Sequence, residues 1–237
     1  MLTIYGVPVS VHTRKVIVTA ILKGIAHHVE PVVPFEAPEN WRNLSPTGLI
    51  PAISHDGFDL ADSGAICAYL ERIAPEPSIY PAGAQAYGCA LWLEQYAATV
   101  LFRQIVHPLF FQKIIRPHIL NQGAPDETEI DRIIATVVPP AFDYLESGIS
   151  DGFLVYNGPT IADITIAANL LNYHYLGFQI DGERWPRLRA AFAGLLRERP
   201  FRAALDAEQP FAAQLGLDRS FLDETARPTD RPRSPGR

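Results

Sequence analysis

The sequence predicts an α/β unit in the order β-α-β-α-β-β-α followed by an all-helical region. Three observations predict it. Short apolar runs alternate with helical periodicity up to residue 75; a proline-rich stretch, Pro75-Glu76-Pro77-Ser78-Ile79-Tyr80-Pro81, follows; and beyond it only the 3.6-residue period recurs.

Leu2-Thr3-Ile4-Tyr5 is a short strand stopped by Gly6 and Pro8. From Ser10 to Gly24 the apolar residues Val11, Val16, Ile17, Ala20 and Ile21 fall at helical spacing, and Gly24 supplies a stop. His28 to Val33 alternates, is rich in β-branched residues and precedes Pro34, which predicts a second strand. Pro38 to Arg42 has room only for a short helix. Gly48 to Ile53 and Phe58 to Leu60 flank Asp56-Gly57, the composition of a tight hairpin. Asp62-Ser63 then opens an amphipathic helix carrying Ala65, Ile66, Tyr69, Leu70 and Ile73, which ends at Ala74-Pro75. Past the proline-rich stretch the periodicity predicts helices near 86 to 120, 127 to 147, 160 to 175 and 186 to 198, and a short one from about 200. The expected organisation is therefore an N-terminal domain over 1–75, a linker over 76–85, a helical domain over 86–225 and a disordered Arg/Pro-rich tail over 226–237.

Composition narrows the function classes. With 48% hydrophobic residues in 237 the chain has ample material for one or two cores, and a formal net charge of -6 gives no basic field for a nucleic-acid backbone or an anionic membrane. The opening residues show no signal-like charged and apolar regions, and no apolar run reaches spanning length. Cys67 and Cys89 both fall in helical patterns, so a reducing compartment, the cytoplasm, is the expected location. The seven histidines form no metal set: His27 and His28 are strand neighbours pointing to opposite faces and the others are scattered, so no metal is expected.

Chemistry concentrates at three places. Ser10 opens the first helix, where a hydroxyl and unpaired N–H groups face an incoming anion. Ile50-Pro51 enters the third strand, and a cis bond there would expose backbone donor and acceptor at the sheet end. Asp62-Ser63 opens the next helix with a carboxylate, a hydroxyl and free N–H groups, suited to the amino-acid end of a ligand. Taken alone, Ser10 is also readable as a cap, Asp62-Ser63 reads first as an ordinary N-cap, and Ile50-Pro51 is a weak signal.

Taken in order, Tyr5-Gly6-x-Pro8-x-Ser10-x-x-Thr13-Arg14-Lys15-Val16, Gly48-x-Ile50-Pro51 and Asp62-Ser63 resemble the N-terminal domain of glutathione transferases, serine-type and bacterial-like. Gly158-Pro159-Thr160-Ile161-Ala162-Asp163 resembles the buried capping box of their helical domain, and Trp185-Pro186-x-Leu188 the start of a late helix; the likeness covers about residues 2 to 210. It implies a thioredoxin-like domain, an all-helical domain forming the electrophile pocket, a cytosolic homodimer, and glutathione as co-substrate. It also implies a catalytic Ser10 whose hydroxyl stabilises glutathione thiolate, with Ile50, Pro51, Asp62 and Ser63 holding the peptide. Tyr5 competes with Ser10, because tyrosine-type members use a tyrosine from this strand; Pro8-x-Ser10 and Thr13-Arg14 favour the serine. Leu49 departs from the pattern, in which Gln or Lys helps hold the glycyl carboxylate, and Arg42 is the candidate substitute. The reaction expected is transfer of the glutathionyl group to a hydrophobic alkyl or aryl electrophile. The alternative, favoured by Leu49, is a non-catalytic binding or scaffolding protein of the same fold. Tyr96, Phe102, Phe110, Phe111, Tyr173 and Tyr175 are expected to divide between core and electrophile pocket.

Overall fold

A computed structural model describes residues 1–34, 37–155 and 158–226. The tail expected over 226–237 lies outside the described residues but for Ala226.

The N-terminal part holds β1 (Leu2–Tyr5), α1 (Val11–Leu22), β2 (His27–Glu30), α2 (Trp41–Leu44), β3 (Ala52–His55), β4 (Phe58–Ala61) and α3 (Ser63–Ile73), the order expected from the sequence. The four strands form one mixed sheet, β2-β1-β3-β4, with β1 parallel to β2 and antiparallel to β3, and β3 antiparallel to β4. This is the thioredoxin-like arrangement. β2 stops at Glu30, three residues short of the expected Val33, because Pro31 has no N–H to give the ladder. Asp56 (φ 51°) and Gly57 (φ 85°) turn the hairpin with two positive φ values, which explains why Asp-Gly stands there.

The remainder is helical. A rod over 84–119 passes through α4 (Ala84–Tyr96), a π-helical stretch Ala97–Val106, α5 (His107–Phe110) and a second π-helical stretch Phe111–Ile119. Next come α6 (Glu127–Arg132), the π-helical Ile133–Val137 and α7 (Val138–Gly148), then α8 (Ile161–Tyr175), α9 (Pro186–Arg197), α10 (Arg199–Gln214) and α11 (Phe221–Ala226). The expected positions hold. Two differences stand out: α10 is not short but runs sixteen residues, through Pro210, and the helices near Pro108, Pro117 and Pro139 are partly of π type. A proline removes an i→i−4 bond and crowds the preceding turn, and widening to i→i+5 pairing accommodates it without ending the helix.

α8 is buried along its whole length and forms the axis of the helical part. Its start is fixed as the sequence predicted: Thr160 N–H and hydroxyl both donate to Asp163 Oδ2 at 2.8 Å, and Leu154 N–H donates to Asp163 Oδ1 at 2.9 Å. α1 is buried at Val11 and from Thr13 to Ala20, because it packs on α3 on one side and on α8 and α10 on the other. It is thus the shared wall between the sheet and the helices.

Candidate functional site

Strand register decides which loops meet. Tyr5 pairs with Ala52 and Ala52 with Ala61, so Gly6, Pro51 and Asp62, each the next residue outward, lie side by side at one end of the sheet. The Ile50-Pro51 bond there is cis. A Cβ on Gly6 would stand 2.5 Å from Thr13 Oγ1 and 3.3 Å from Ile50 Cβ, so the end of β1, the first turn of α1 and the loop before β3 touch, and only glycine fits between them at φ 148°.

Ser10 is the N-cap of α1. Its Oγ accepts from Thr13 N–H at 3.5 Å, a long bond that engages one oxygen lone pair and leaves the hydroxyl proton free to donate outward. Asp62 caps α3: Oδ1 accepts from Gly64 N–H at 2.9 Å and Ala65 N–H at 3.0 Å, while Ser63 beside it is buried. Its φ of 78° is costly for a residue with a Cβ, about 1–3 kcal/mol. The two helix N-termini thus open at the same sheet end as the cis bond.

Arg42 belongs to the same neighbourhood. Its Nη1 donates to Pro46 O at 3.1 Å and the guanidinium covers Gly48, while Trp41 Nε1 pins Gly48 O at 3.1 Å. Leu49 follows with its side chain 65% exposed. The position that offers no donor therefore has a cation on the preceding helix, α2. Tyr5 packs edge-on against Trp41, ring centroids 6.2 Å apart, on the face of the small cluster with Val32 and Ala52.

Three features of the site were not singled out from the sequence. Behind the α3 N-terminus Lys15 and Glu94 form a buried ion pair that ties α1 to α4, next to Gly64. Arg14, fully buried, pairs with Glu208 at 2.8 Å and donates to Ala168 O at 2.9 Å, Asn172 Oδ1 at 2.7 Å and, through Nη2, to Val9 O at 3.2 Å, the residue before Ser10. His12, two residues after Ser10, is edge-on to Phe102 of the long rod at 4.4 Å. Burial, followed by the charge of Lys15 and more weakly those of Arg103 and His107, lowers its pKa to about 4 against the pull of Asp62, so the ring is neutral at physiological pH. Of the aromatic residues expected to divide between core and pocket, Tyr173 and Tyr175 are buried; Phe102 alone is shown facing His12.

Two cavities lie apart from Ser10, Pro51 and Asp62, none of which lines either. One of about 460 Å³ is lined by Tyr5, Val32 and Trp41. Another of about 730 Å³ lies between the far end of the long rod and the end of α8, lined by Lys113, Ile114, His118 and Tyr175 among others. Tyr175 donates its hydroxyl to Glu208, the partner of Arg14, which connects this cavity to the first turn of α1. Among the described residues no three His, Cys, Asp or Glu side chains are grouped as metal ligands, and no helix is long and apolar enough to cross a membrane.

Residues 4–78 match the profile of the family described as Glutathione S-transferase, N-terminal domain. A Glutathione S-transferase of Triticum aestivum is 24% identical over 212 residues, covering 88% of this chain and 95% of that protein. A Maleylacetoacetate isomerase of Dictyostelium discoideum is 26% identical over 177 residues, 73% of this chain and 77% of that one. The crystal structure of a glutathione S-transferase from Rhodospirillum rubrum F11 superposes with a TM-score of 0.79 at 27% identity, over 86% of this chain and 92% of its own.

Proposed function

Because this chain belongs to the glutathione transferase family, we propose that it binds glutathione at the sheet end and uses Ser10 to stabilise the thiolate for attack on an electrophile. The observation that carries this reading is the convergence of Ser10, the cis Ile50-Pro51 bond and the strained Asp62-Ser63 cap at one end of the sheet. In the proposed pose the Ile50 backbone and Pro51 receive the cysteinyl peptide, Asp62 and Ser63 hold the γ-glutamyl end, and Arg42 takes the glycyl carboxylate in place of the donor that Leu49 lacks. Division into a glutathione domain over 1–75 and an electrophile domain over 86–225 belongs to the same proposal, as does a cytoplasmic location.

The chemical task is small enough for these groups. A thiol with a pKa near ~8.5 is only a few per cent ionised at neutral pH, and lowering that pKa by ~2 units requires roughly 2.7 kcal/mol. A charge-assisted hydrogen bond from Ser10 contributes ~1.5–3 kcal/mol and the α1 N-terminus ~0.3–1 kcal/mol. His12 adds no charge to this balance, being neutral. The thiolate then forms a bond to carbon of the electrophile. Transfer, with loss of a leaving group, and isomerisation, in which the thiol is returned, share this step; the relative named as an isomerase supports keeping both as reaction classes for this chain.

Exposed Phe58 on β4, Ile73 at the end of α3, and Tyr87 and Trp92 on α4 support a homodimer, in which these side chains would be covered. Sedimentation at twice the 26.2 kDa chain mass is the expected result, and a monomer at micromolar concentration would remove the dimer from the proposal.

The test of the whole reading is the thiolate absorbance of bound glutathione titrated against pH. Ser10→Ala is expected to raise the thiol pKa by about 1–2 units, since the charge-assisted bond is lost, whereas Tyr5→Phe leaves it within about 0.3 units. A larger shift for Tyr5→Phe hands the role to the tyrosine. No glutathione binding in the unaltered protein overturns the function altogether.

A further inference from the structure

Thr13 sits in the first turn of α1, three residues after Ser10, and is fully buried. Its N–H gives Ser10 Oγ the 3.5 Å cap bond, but its own hydroxyl oxygen, enclosed by protein, has no hydrogen-bond partner among the described residues. A hydroxyl shut away from water without a partner is destabilising, and a valine of the same shape would avoid that cost. The surroundings explain why it is unpaired. A threonine in a helix ordinarily donates to the carbonyl three or four residues back. Here those carbonyls are Ser10 O and Val9 O, and each already holds a donor of Arg14: the N–H on Ser10 O at 2.8 Å and Nη2 on Val9 O at 3.2 Å.

The same hydroxyl stands where the parts of the candidate glutathione site meet. A Cβ on Gly6 would lie 2.5 Å from Thr13 Oγ1 and 3.3 Å from Ile50 Cβ, so the oxygen is packed against the end of β1, beside the loop that carries the cis Ile50-Pro51 bond. On the helix side, the third residue after an N-cap shares its face, which is the geometry that lets the two side chains of a capping box reach each other's backbone. Ser10 is the N-cap and Thr13 that third residue. Two carbons separate the Thr13 nitrogen, already bonded to Ser10 Oγ, from the Thr13 hydroxyl. Ser10 Oγ is the acceptor on this turn with room for it, since the long bond from Thr13 N–H engages one of its two lone pairs.

We infer that Thr13 is a positioning residue for the thiolate: its hydroxyl donates to Ser10 Oγ when Ser10 turns its own proton to the glutathione sulfur, so that two hydroxyls act in series. This rests on the proposal that Ser10 serves the thiolate. A hydroxyl that accepts a hydrogen bond becomes a better donor, by roughly 10–30% per bond in a chain. The Thr13 O–H also holds Ser10 Oγ in place with its proton directed outward. No proton changes hands: Thr13 and Ser10 both keep theirs, and the charge stays on sulfur. Because the Thr13 hydroxyl is unpaired without glutathione, the bond is made only in the complex, where it favours the charged form of the ligand.

Thr13→Val removes the hydroxyl at equal shape, and Thr13→Ser keeps it. Thiolate absorbance of bound glutathione, titrated against pH, is expected to show the thiol pKa raised by about 0.5–1 unit in Thr13→Val, roughly three- to tenfold less thiolate at neutral pH, and within about 0.2 units of the unaltered protein in Thr13→Ser. Without glutathione, the urea midpoint of Thr13→Val is expected to equal or exceed that of the unaltered protein, because the oxygen removed had no partner to lose. In a Ser10→Ala background Thr13→Val is expected to add no further shift, because the hydroxyl acts through Ser10. An unshifted pKa in Thr13→Val, beside a raised one in Ser10→Ala, overturns the inference and leaves the Ser10 reading standing. A full additional shift in the double variant also overturns it, since Thr13 would then act without Ser10. So does a pKa raised equally in Thr13→Ser, which assigns the effect to the lost methyl group, and so does a urea midpoint that falls in Thr13→Val, which means that the hydroxyl is paired before glutathione arrives. An unchanged pKa in Ser10→Ala removes the Ser10 reading, and this inference with it.

Discussion

Asp62 combines two features that pull against each other in the absence of a ligand. It caps α3 well, with Oδ1 taking two backbone N–H bonds, but does so at φ 78°, a backbone conformation that asparagine or glycine adopts more readily. Neighbours that dictate such a backbone are usual where the residue serves a ligand, and Oδ2, which takes no part in the cap, is the atom free to meet an ammonium group. Asp62→Asn separates the two roles, because asparagine caps as well as aspartate and tolerates positive φ. The expected outcome is unfolding stability within about 0.5 kcal/mol of the unaltered protein and glutathione affinity lower by about 2 kcal/mol, roughly thirtyfold. Calorimetry alongside urea denaturation measures both, and unchanged affinity would return Asp62 to the status of a plain cap. Asp62-Ser63 was legible in the sequence because an N-cap pair at a strand end has a local signature. His12 was not: a single histidine within a helical period looks the same whether it turns to core, solvent or cleft. What decides is Phe102, ninety residues away and brought near only by the packing of the long rod on α1.

At the scale of elements, strand and helix positions were readable because each carries its own period and its own stops. What escaped was how helices behave at prolines: the rod passes Pro108 and Pro117 by shifting in and out of π pairing instead of ending, and α10 passes Pro210 while staying α-helical. Whether a proline ends a helix depends on the tertiary burial available to hold the next turn, and α10 has it through Phe201, Ala204, Leu205 and Ala212. The C-terminal end of α8 carries a second consequence of burial. His174 has neither ring nitrogen hydrogen-bonded, and stacks on Phe192 of α9 at 4.9 Å and beside Phe221 of α11 at 4.8 Å. Burial, helped by Arg189 and opposed by Asp218, lowers its pKa from 6.5 to about 4. The unfolded chain takes up the proton first, so this neutral histidine contributes stability that is fully present above about pH 6.5 and is lost as pH falls toward 4, at up to about 1.4 kcal/mol per pH unit. His174→Phe removes that proton. Urea midpoints measured from pH 7 to pH 4 should therefore converge, the variant losing less stability than the unaltered protein across the acid range. Parallel curves would mean that His174 is charged in the folded protein.

At the scale of the whole molecule, the thiol half and the helical half are joined through Arg14, and the proposed catalytic serine hangs from that joint. Arg14 comes four residues after Ser10, yet its ion pair is with Glu208, 194 residues away, so neither end of the contact had a local signature in the sequence. The guanidinium is fully enclosed and its bonds reach α8, α10 and the backbone just before α1, while Tyr175 donates to the other oxygen of Glu208. Burying two charges is favourable only when both are this fully satisfied, and the penalty for removing one partner falls on the other. Glu208→Ala is accordingly expected to lower unfolding stability by about 3–5 kcal/mol, because an unpaired guanidinium remains in the interior. The double variant Arg14→Met, Glu208→Leu removes both charges and should recover much of that loss, although Val9 O and Ala168 O lose their donor and keep the recovery partial. A positioning role adds a second readout. Since Nη2 of Arg14 holds Val9 O, the double variant, even where stable, should let the Ser10 turn relax and raise the pKa of bound glutathione toward that in Ser10→Ala. Urea denaturation of the two single variants and the double one, together with thiolate titration of the double variant, separates the effects. Stability restored with an unshifted thiolate pKa would mean that Arg14 is a joint between the two halves and nothing more, and an unchanged midpoint in Glu208→Ala would mean that it is not even that.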